Sequence, residues 1–259
     1  MRRLLALLAC LGLLLPFGCA PTATGCAKAQ EACTRVLFIG NSYTYVNDLP
    51  AMFAELARAG GHLVETGMAA EGGLTLADHV ASSATQAKLS SAHWDIVVLQ
   101  EQSQIPAVAE FRASQMDPAA RTLIRTIRLA GSRPMFFLTW AHRDGWPENG
   151  LPDYARMQDQ IDDAYLRLGG ELVVPVAPVG VAWATVVSTN VRPGLWQDDG
   201  THPTVAGTYL AACVFYAAIF GATPVGLGYE AGLSKETAAS LQAVAAATVL
   251  TDQARWALP

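Results

Sequence analysis

The sequence predicts a doubly wound α/β domain, in which helices cover both faces of a mainly parallel β-sheet. From Arg35 onward, short apolar runs typical of buried parallel strands alternate with longer segments that have helical spacing. This alternation is the pattern expected of βαβ units. No linker rich in Pro, Gly or Ser interrupts it, so we expect residues 30–259 to form one domain.

The individual elements follow from local signals along the chain. Strands are predicted over residues 36–39, 63–68, 96–99, 135–138 and 173–176. Helices are predicted over residues 51–59, 75–90, 117–130, 153–168, 204–220 and 234–249. Gly60 and Gly61 end the first of these helices, and Asp117 with Pro118 is predicted to cap the start of the third.

The segment between His202 and Glu230 carries no charge and is largely apolar over residues 205–222. Its length alone would allow a membrane span, which needs about 20 residues. Glycines and polar residues such as Tyr209 interrupt the run, however, so a buried helix of the α/β domain is the favoured interpretation.

The first 29 residues are predicted to be an export signal. Two arginines precede an apolar run over residues 4–17, which is shorter than the ~20 residues of a membrane-spanning helix. Cleavage after the small-x-small sequence at 27–29 is one expected end of this signal. Cleavage before Cys19, with lipid attached to Cys19, is the alternative. Either end predicts a periplasmic or extracellular protein, attached to a membrane only through Cys19.

The cysteines leave two interpretations open. Cys26 and Cys33 are close enough in sequence to form a disulfide, which an oxidising compartment would permit. Cleavage after residue 29 would remove Cys26 and leave Cys33 unpaired. Cys213 lies in an apolar helical stretch and is expected to be an inert core residue. No Cys/His spacing resembles a zinc site, so no metal is predicted.

Composition and charge exclude several classes of protein. Hydrophobic residues make up 52% of the chain, which is too many for an intrinsically disordered protein. The formal net charge is -5, so the chain lacks the basic surface of a nucleic-acid-binding protein. The glycine-rich segment 71–73 lacks the spacing of a phosphate-binding loop, and no cofactor is implied.

Residues that can carry chemistry follow the predicted strands. In open α/β sheets, ligands bind outside the carboxyl ends of the strands. The segments 40–42, 72–73 and 100–102 follow the first three strands and read Gly-Asn-Ser, Gly-Gly and Gln-Glu-Gln. Asp199-Gly200-Thr201-His202 comes late in the chain. The sequence therefore predicts one polar site at this edge of the sheet.

Each candidate residue has a role that suits its chemistry. Ser42 can act as a nucleophile once a base accepts its proton, and His202 can be that base near neutral pH. Asp199 can hold the other nitrogen of the imidazole and stabilise its protonated form. The backbone N–H groups of Ser42 and Gly73 and the side-chain amide of Gln102 can stabilise a developing oxyanion.

These segments resemble, in chain order, the sequence blocks of the SGNH (GDSL-type) hydrolases. Gly40-Asn41-Ser42 resembles the nucleophile block, Gly73 the oxyanion glycine, and Asp199-x-x-His202 the terminal block. The third block differs, because Gln102 stands where the family usually has Asn. The resemblance implies a flavodoxin-like three-layer α/β/α fold. It also implies a serine esterase that acts on short-chain or acetyl esters, including those of carbohydrates, through a Ser-His-Asp triad and a covalent acyl-enzyme.

Two other functions remain open at this stage. An acyltransferase could use the same site, and a non-catalytic envelope lipoprotein could keep it as a ligand-binding cleft. Trp140 and His142 follow the fourth strand and are candidates for lining the substrate cleft, while Trp140 could instead fill the core. Glu101 is expected to be a solvated or structural acid rather than a second catalytic carboxylate. The remaining histidines follow no strand end and are expected at the surface: His62, His79 and His93.

Overall fold

The fold is built on a five-stranded sheet in which every strand is parallel to its neighbours. The computed structural model describes residues 26, 33–189 and 194–258. The strand order is β2-β1-β3-β4-β5, which is the flavodoxin-like doubly wound order. The expected fold class is therefore confirmed. The strands are β1 (Cys33–Gly40), β2 (Leu63–Ala70), β3 (Ile96–Leu99), β4 (Arg133–Phe137) and β5 (Val176–Ala177).

Ten α-helical segments connect and follow these strands in the part of the chain that the structure describes. They are α1 (Ser42–Tyr45), α2 (Leu49–Ala59), α3 (Leu76–Ala81), α4 (Ser83–Ser90), α5 (Ala109–Phe111), α6 (Asp117–Leu129), α7 (Tyr154–Leu172), α8 (Val179–Ser188), α9 (Val205–Phe220) and α10 (Lys235–Leu250). A π-helical turn, Arg112–Met116, joins α5 to α6.

Two hydrophobic cores lie on opposite faces of the sheet. Because side chains alternate between the faces of a strand, Val36 and Phe38 of β1 point into one core and Leu37 and Ile39 into the other. Helices α2, α8, α9 and α10 cover the first face, and α3, α4, α6 and α7 cover the second. This arrangement leaves the carboxyl edge of the sheet free to carry a site.

Several predicted boundaries differ from the structure. The expected helix over 75–90 is divided at Ser82, whose extended backbone ends α3 and whose side chain caps α4. Asp117 does not cap a helix start, since the chain is already helical before it, and its carboxylate instead pairs with Arg167 at 2.8 Å. Helix α8 was not predicted, because its nearly uniform apolar composition has no polar face to mark a helical period.

The uncharged segment forms α9, and this helix is buried along almost its whole length between α2, α8 and α10. Its burial on several sides explains its apolar composition. Among the helices of the described ranges, none is both long enough and apolar enough to cross a membrane.

Cys26 and Cys33 are joined by a disulfide, with their Cα atoms 5.4 Å apart. The backbone N–H of Cys26 also donates to Glu65 Oε2 of β2 at 3.0 Å. Cys213 has a free, buried thiol in α9, and burial raises its pKa. Cys19 and the rest of the predicted signal lie outside the described residues.

Candidate active site

Ser42 stands at the turn between the central strand β1 and the short helix α1. β1 ends at Gly40, and Asn41 caps α1 by accepting the N–H of Tyr43 at 3.2 Å. A Cβ on Gly40 would lie 2.3 Å from Gln100 Oε1, so this close approach needs glycine. The turn holds the Ser42 hydroxyl at the carboxyl edge of the sheet, half-buried.

Ser42, His202 and Asp199 form one chain of hydrogen bonds. Ser42 Oγ lies 2.9 Å from His202 Nε2, and His202 Nδ1 lies 2.6 Å from Asp199 Oδ2. In the tautomer that fits both contacts, Nδ1–H donates to the carboxylate and Nε2 accepts the serine proton. The structure therefore brings together the three residues that the sequence singled out, although 160 positions separate Ser42 from His202.

A tight turn fixes the Asp199 carboxylate. Its Oδ1 accepts the backbone N–H groups of Thr201 at 2.8 Å and of His202 at 2.9 Å. Partial burial opposes its ionisation, but these N–H groups and the imidazole of His202 together hold the pKa of Asp199 well below its usual range. A fixed negative charge thus lies beside the imidazole.

Of the two roles left open for Trp140, the structure contradicts a place in the substrate cleft and supports a place in the core. Its side chain is fully buried and is stacked between Tyr43 at 4.4 Å and Trp183 at 4.1 Å, measured between ring centroids. Its indole Nε1 donates to the carbonyl of Thr201 at 2.9 Å. Trp140 therefore supports the turn that carries Asp199 and His202 from beneath.

A cavity of about 400 Å³ opens above Ser42. Gly73, Gln102 and His142, all expected near the site, line it together with Ser42 and His202. The remaining lining residues are mostly polar: Asn41, Tyr43, Tyr45, Gly72, Ser103 and Thr201. The cavity can therefore hold a small polar molecule against the serine hydroxyl.

The candidate oxyanion donors surround the same cavity. The N–H groups of Ser42 and Gly73 donate to no other backbone group among the described residues. Gly73 has a φ of 74°, a left-handed conformation that glycine adopts without strain. The Gln102 side chain is oriented by Gln104, since Oε1 accepts the Gln104 N–H at 2.8 Å and Nε2 lies 3.3 Å from Gln104 Oε1.

His142 shares this cavity with a second hydroxyl group. Its Nε2 lies 3.0 Å from Ser103 Oγ. Burial lowers the pKa of His142, and the neighbouring His202 lowers it further, while Asp199 acts in the opposite direction. A neutral imidazole can exchange hydrogen bonds with hydroxyl groups of a bound molecule.

Sequence reasoning missed two buried groups behind the site. His79 is not a surface residue: it is buried, its Nε2 lies 2.8 Å from the carbonyl of Gly40 and its Nδ1 lies 2.8 Å from Thr85 Oγ1. Its position three residues after the buried Leu76 in α3 was a helical signal that could have indicated this burial. Gln100 is also buried and accepts the Asn41 N–H at 2.9 Å.

A metal site is not formed by the side chains in the described ranges, where no group of three or more His, Cys, Asp or Glu residues could hold an ion.

Comparison with known proteins places the chain among hydrolases of one fold. No family model and no curated protein matches it. A solved structure from Slackia heliotrinireducens, assigned to the SGNH hydrolases, is 29% identical, with a TM-score of 0.62 over 73% of this chain and 100% of that one.

Two other solved structures share the fold at lower identity. A DUF4886 family protein from Bacteroides uniformis is 20% identical, with a TM-score of 0.73 over 85% of this chain and 96% of its own. A catalytic variant of an acetylxylan esterase from Geobacillus stearothermophilus is 17% identical, with a TM-score of 0.56 over 78% and 97% of the two chains. Sheet order, structural likeness and the chain order of the sequence blocks agree, and the chain belongs to the SGNH hydrolase superfamily.

Proposed function

We propose that this protein is a serine esterase that hydrolyses esters of short acyl groups, such as acetyl, on small polar alcohols including carbohydrates. The observation that carries the proposal is the continuous hydrogen-bonded chain from Ser42 through His202 to Asp199. That arrangement turns a weakly nucleophilic hydroxyl into one whose proton has an acceptor in place.

In the first half of the reaction, Ser42 Oγ attacks the carbonyl carbon of the ester while His202 Nε2 takes the hydroxyl proton. Asp199 stabilises the imidazolium that forms. The carbonyl oxygen becomes an oxyanion, to which the N–H groups of Ser42 and Gly73 and the side-chain amide of Gln102 can donate hydrogen bonds. Collapse of this intermediate breaks the ester C–O bond, and the imidazolium gives its proton to the departing alcohol oxygen.

In the second half, a water molecule takes the place of the alcohol. His202 accepts a proton from this water as its oxygen attacks the acyl carbon, and a second oxyanion forms in the same position. Collapse of the intermediate releases the carboxylic acid, and His202 returns the proton to Ser42 Oγ. The enzyme is then restored without a cofactor.

The size and lining of the cavity support the substrate class. A volume of about 400 Å³ must hold both the acyl group and part of the alcohol. Imidazole and hydroxyl groups, such as those of His142, Ser103 and Tyr45, can hydrogen-bond the hydroxyls of a polyol. A long acyl chain would instead require a mainly apolar pocket.

The test is a series of p-nitrophenyl esters from acetyl to octanoyl, measured with the wild type and with Ser42→Ala. We expect kcat/KM to fall with acyl length and Ser42→Ala to lose nearly all turnover, about 10⁶-fold as for loss of a triad nucleophile. Mass analysis of the quenched wild type should find one acyl group on Ser42. Equal hydrolysis by Ser42→Ala, or no turnover of any ester, would overturn the proposal. Acetylated sugar formed when a sugar is added as acceptor would favour acyl transfer.

A further inference from the structure

A single buried carboxylate joins the two loops that carry the candidate oxyanion donors. Glu101 follows β3 and Gln100, and its side chain is fully buried. Its Oε1 accepts the N–H of Leu76 at 3.0 Å and the N–H of Gln102 at 2.7 Å. The other oxygen, Oε2, is buried without a hydrogen-bond partner among the described residues. The carboxylate thus accepts hydrogen bonds from these two backbone amides. Glu101 is not among the residues that line the cavity.

The two amides belong to different loops. Leu76 is the first residue of α3 and lies three residues after Gly73, at the end of the loop that follows β2. The N–H of a first helical residue has no partner within its own helix, so it needs an acceptor from elsewhere. Gln102 belongs to the loop after β3. Glu101 therefore sets the distance between the segments of Gly73 and Gln102.

Other contacts join these loops to the nucleophile. Asn41, directly before Ser42, donates from Nδ2 to the carbonyl of Leu74 in the loop after β2, at 2.9 Å. The loop after β3 is tied to the same residue by Gln100, whose Nε2 donates to Asn41 Oδ1 at 3.0 Å. These contacts connect the Ser42 segment to each of the other two loops. Glu101 supplies the remaining connection, between those two loops.

We infer that Glu101 is a positioning residue for the oxyanion donors, and that it acts by holding the Gly73 and Gln102 loops at a fixed separation. The inference rests on the proposed esterase function. Donors stabilise an oxyanion only when they already stand at hydrogen-bonding distance from where its charge develops. Misplacement should therefore reduce kcat and leave substrate binding nearly unchanged.

Electrostatics is consistent with an internal role for this carboxylate. Burial raises the pKa of Glu101 to about 7, and the negative charge of Asp78 on α3 raises it further, while the Leu76 and Gln102 N–H groups lower it. From α7, the hydroxyl of Tyr165 accepts the Glu101 N–H at 3.2 Å. Positioning needs only the Oε1 acceptor, which the charged and the neutral forms of the side chain both provide.

The test compares Glu101→Gln, Glu101→Ala and Glu101→Asp in the full protein. Glu101→Gln keeps an oxygen acceptor at the same reach, so we expect kcat within about threefold of the wild type. Glu101→Ala removes the acceptor and should lower kcat about 100-fold with KM changed less than about threefold, as for loss of an oxyanion donor. Glu101→Asp withdraws the oxygen by one methylene but keeps the charge, and should lower kcat about 10-fold. If Glu101→Ala does not fold, the kcat of Glu101→Asp still tests the inference.

Gln242→Ala is the matched control. Gln242 is a buried side chain remote from the cavity, and it accepts the N–H of Gly226 and donates to Tyr209. Loss of the Gln242 side chain should destabilise the protein without lowering kcat. A decrease in kcat that is confined to the Glu101 variants therefore indicates that Glu101 positions the oxyanion donors.

Wild-type kcat in Glu101→Ala or Glu101→Asp would overturn the inference. So would an equal loss in Glu101→Gln and Glu101→Ala, because the charge would then matter rather than the acceptor. If the wild type hydrolyses no ester, the proposed esterase function itself would be contradicted.

Discussion

Asp199 holds His202 through both of its carboxylate oxygens. Oδ2 lies 2.6 Å from the imidazole Nδ1, and Oδ1 accepts the backbone N–H of His202 at 2.9 Å. The same carboxylate therefore fixes the ring and the segment of backbone that carries it. Removing the negative charge of Asp199 and removing the imidazole of His202 are different changes, so they should lower turnover by different amounts.

Asp199→Asn is expected to impair turnover less than His202→Ala. Asn keeps an oxygen that can accept the backbone N–H groups, but it no longer stabilises the imidazolium. By analogy with other triads, kcat should fall about 10⁴-fold for Asp199→Asn and about 10⁶-fold for His202→Ala. Steady-state kinetics on the acetyl ester measures both. Full activity in both variants would show that the triad assignment is wrong.

Gln102→Ala tests the residue at which the chain departs from its family's third block. If the amide donates to the oxyanion, kcat should fall about 100-fold or more with little change in KM. Gln102→Glu keeps the shape but replaces the donor with a carboxylate, so it should be at least as damaging.

Gln104→Ala is a useful companion to these variants, because it removes only the side chain that contacts Gln102 Nε2. A much smaller loss is expected there. Near-normal turnover in both Gln102 variants would limit the oxyanion hole to the amides of Ser42 and Gly73.

The sequence was most informative where a short apolar run defined a strand. Residues 96–99 were predicted as a strand with the bounds that the structure has, because four consecutive aliphatic residues occupy both buried faces of a central strand. The ends of such strands then indicated which polar residues meet at one edge.

The contacts behind the site could not be predicted in the same way. His79 and Trp140 reach carbonyl groups 39 and 61 residues away, so their burial depends on how distant segments pack. The helical spacing of His79 from Leu76 indicates a buried position, but local patterns do not show which distant carbonyl either side chain contacts. The same limit applies to Glu101 in the loop after β3, whose partner Leu76 lies 25 residues earlier at the start of α3.

Trp140→Phe should reduce stability without weakening substrate binding. Phenylalanine can still pack against Tyr43 and Trp183, but the carbonyl of Thr201 loses its donor. Because this carbonyl is only partly buried, loss of the hydrogen bond should lower the free energy of unfolding in urea by about 1 kcal/mol. KM for the acetyl ester should stay within about twofold, since Trp140 does not line the cavity. A large rise in KM at unchanged stability would contradict the buried position.

The disulfide leads to a prediction about the mature protein. If Cys26 pairs with Cys33 in the exported chain, cleavage after residue 29 would leave the signal fragment attached through the disulfide, whereas cleavage before Cys19 keeps both cysteines in one mature chain. We therefore favour cleavage before Cys19 with lipidation. We expect intact-mass analysis of protein from the native envelope to find a lipidated chain starting at Cys19. Its mass should increase by two hydrogens on reduction. A mature chain that begins at residue 30, or one that keeps residues 4–17, would contradict this prediction.

The pH dependence of stability should report the buried Glu101 carboxyl directly. Burial raises its pKa from the ordinary 4.5 to about 7, so the folded protein binds this proton more tightly than the unfolded chain does. The stability that this proton contributes is complete below pH 4.5 and is lost as the pH rises through about 7. Each pKa unit corresponds to about 1.4 kcal/mol, so the total change is roughly 3 kcal/mol.

Urea unfolding of the wild type and Glu101→Gln between pH 4 and pH 8.5 measures this loss. The wild type should lose stability relative to Glu101→Gln as the pH rises, because glutamine does not titrate. Burial also raises the pKa of Asp162, to about 6, but both proteins share that group and its contribution cancels in the difference. A difference that stays constant over the whole range would show that Glu101 titrates near its ordinary pKa, and that its carboxyl is far better solvated than its burial implies.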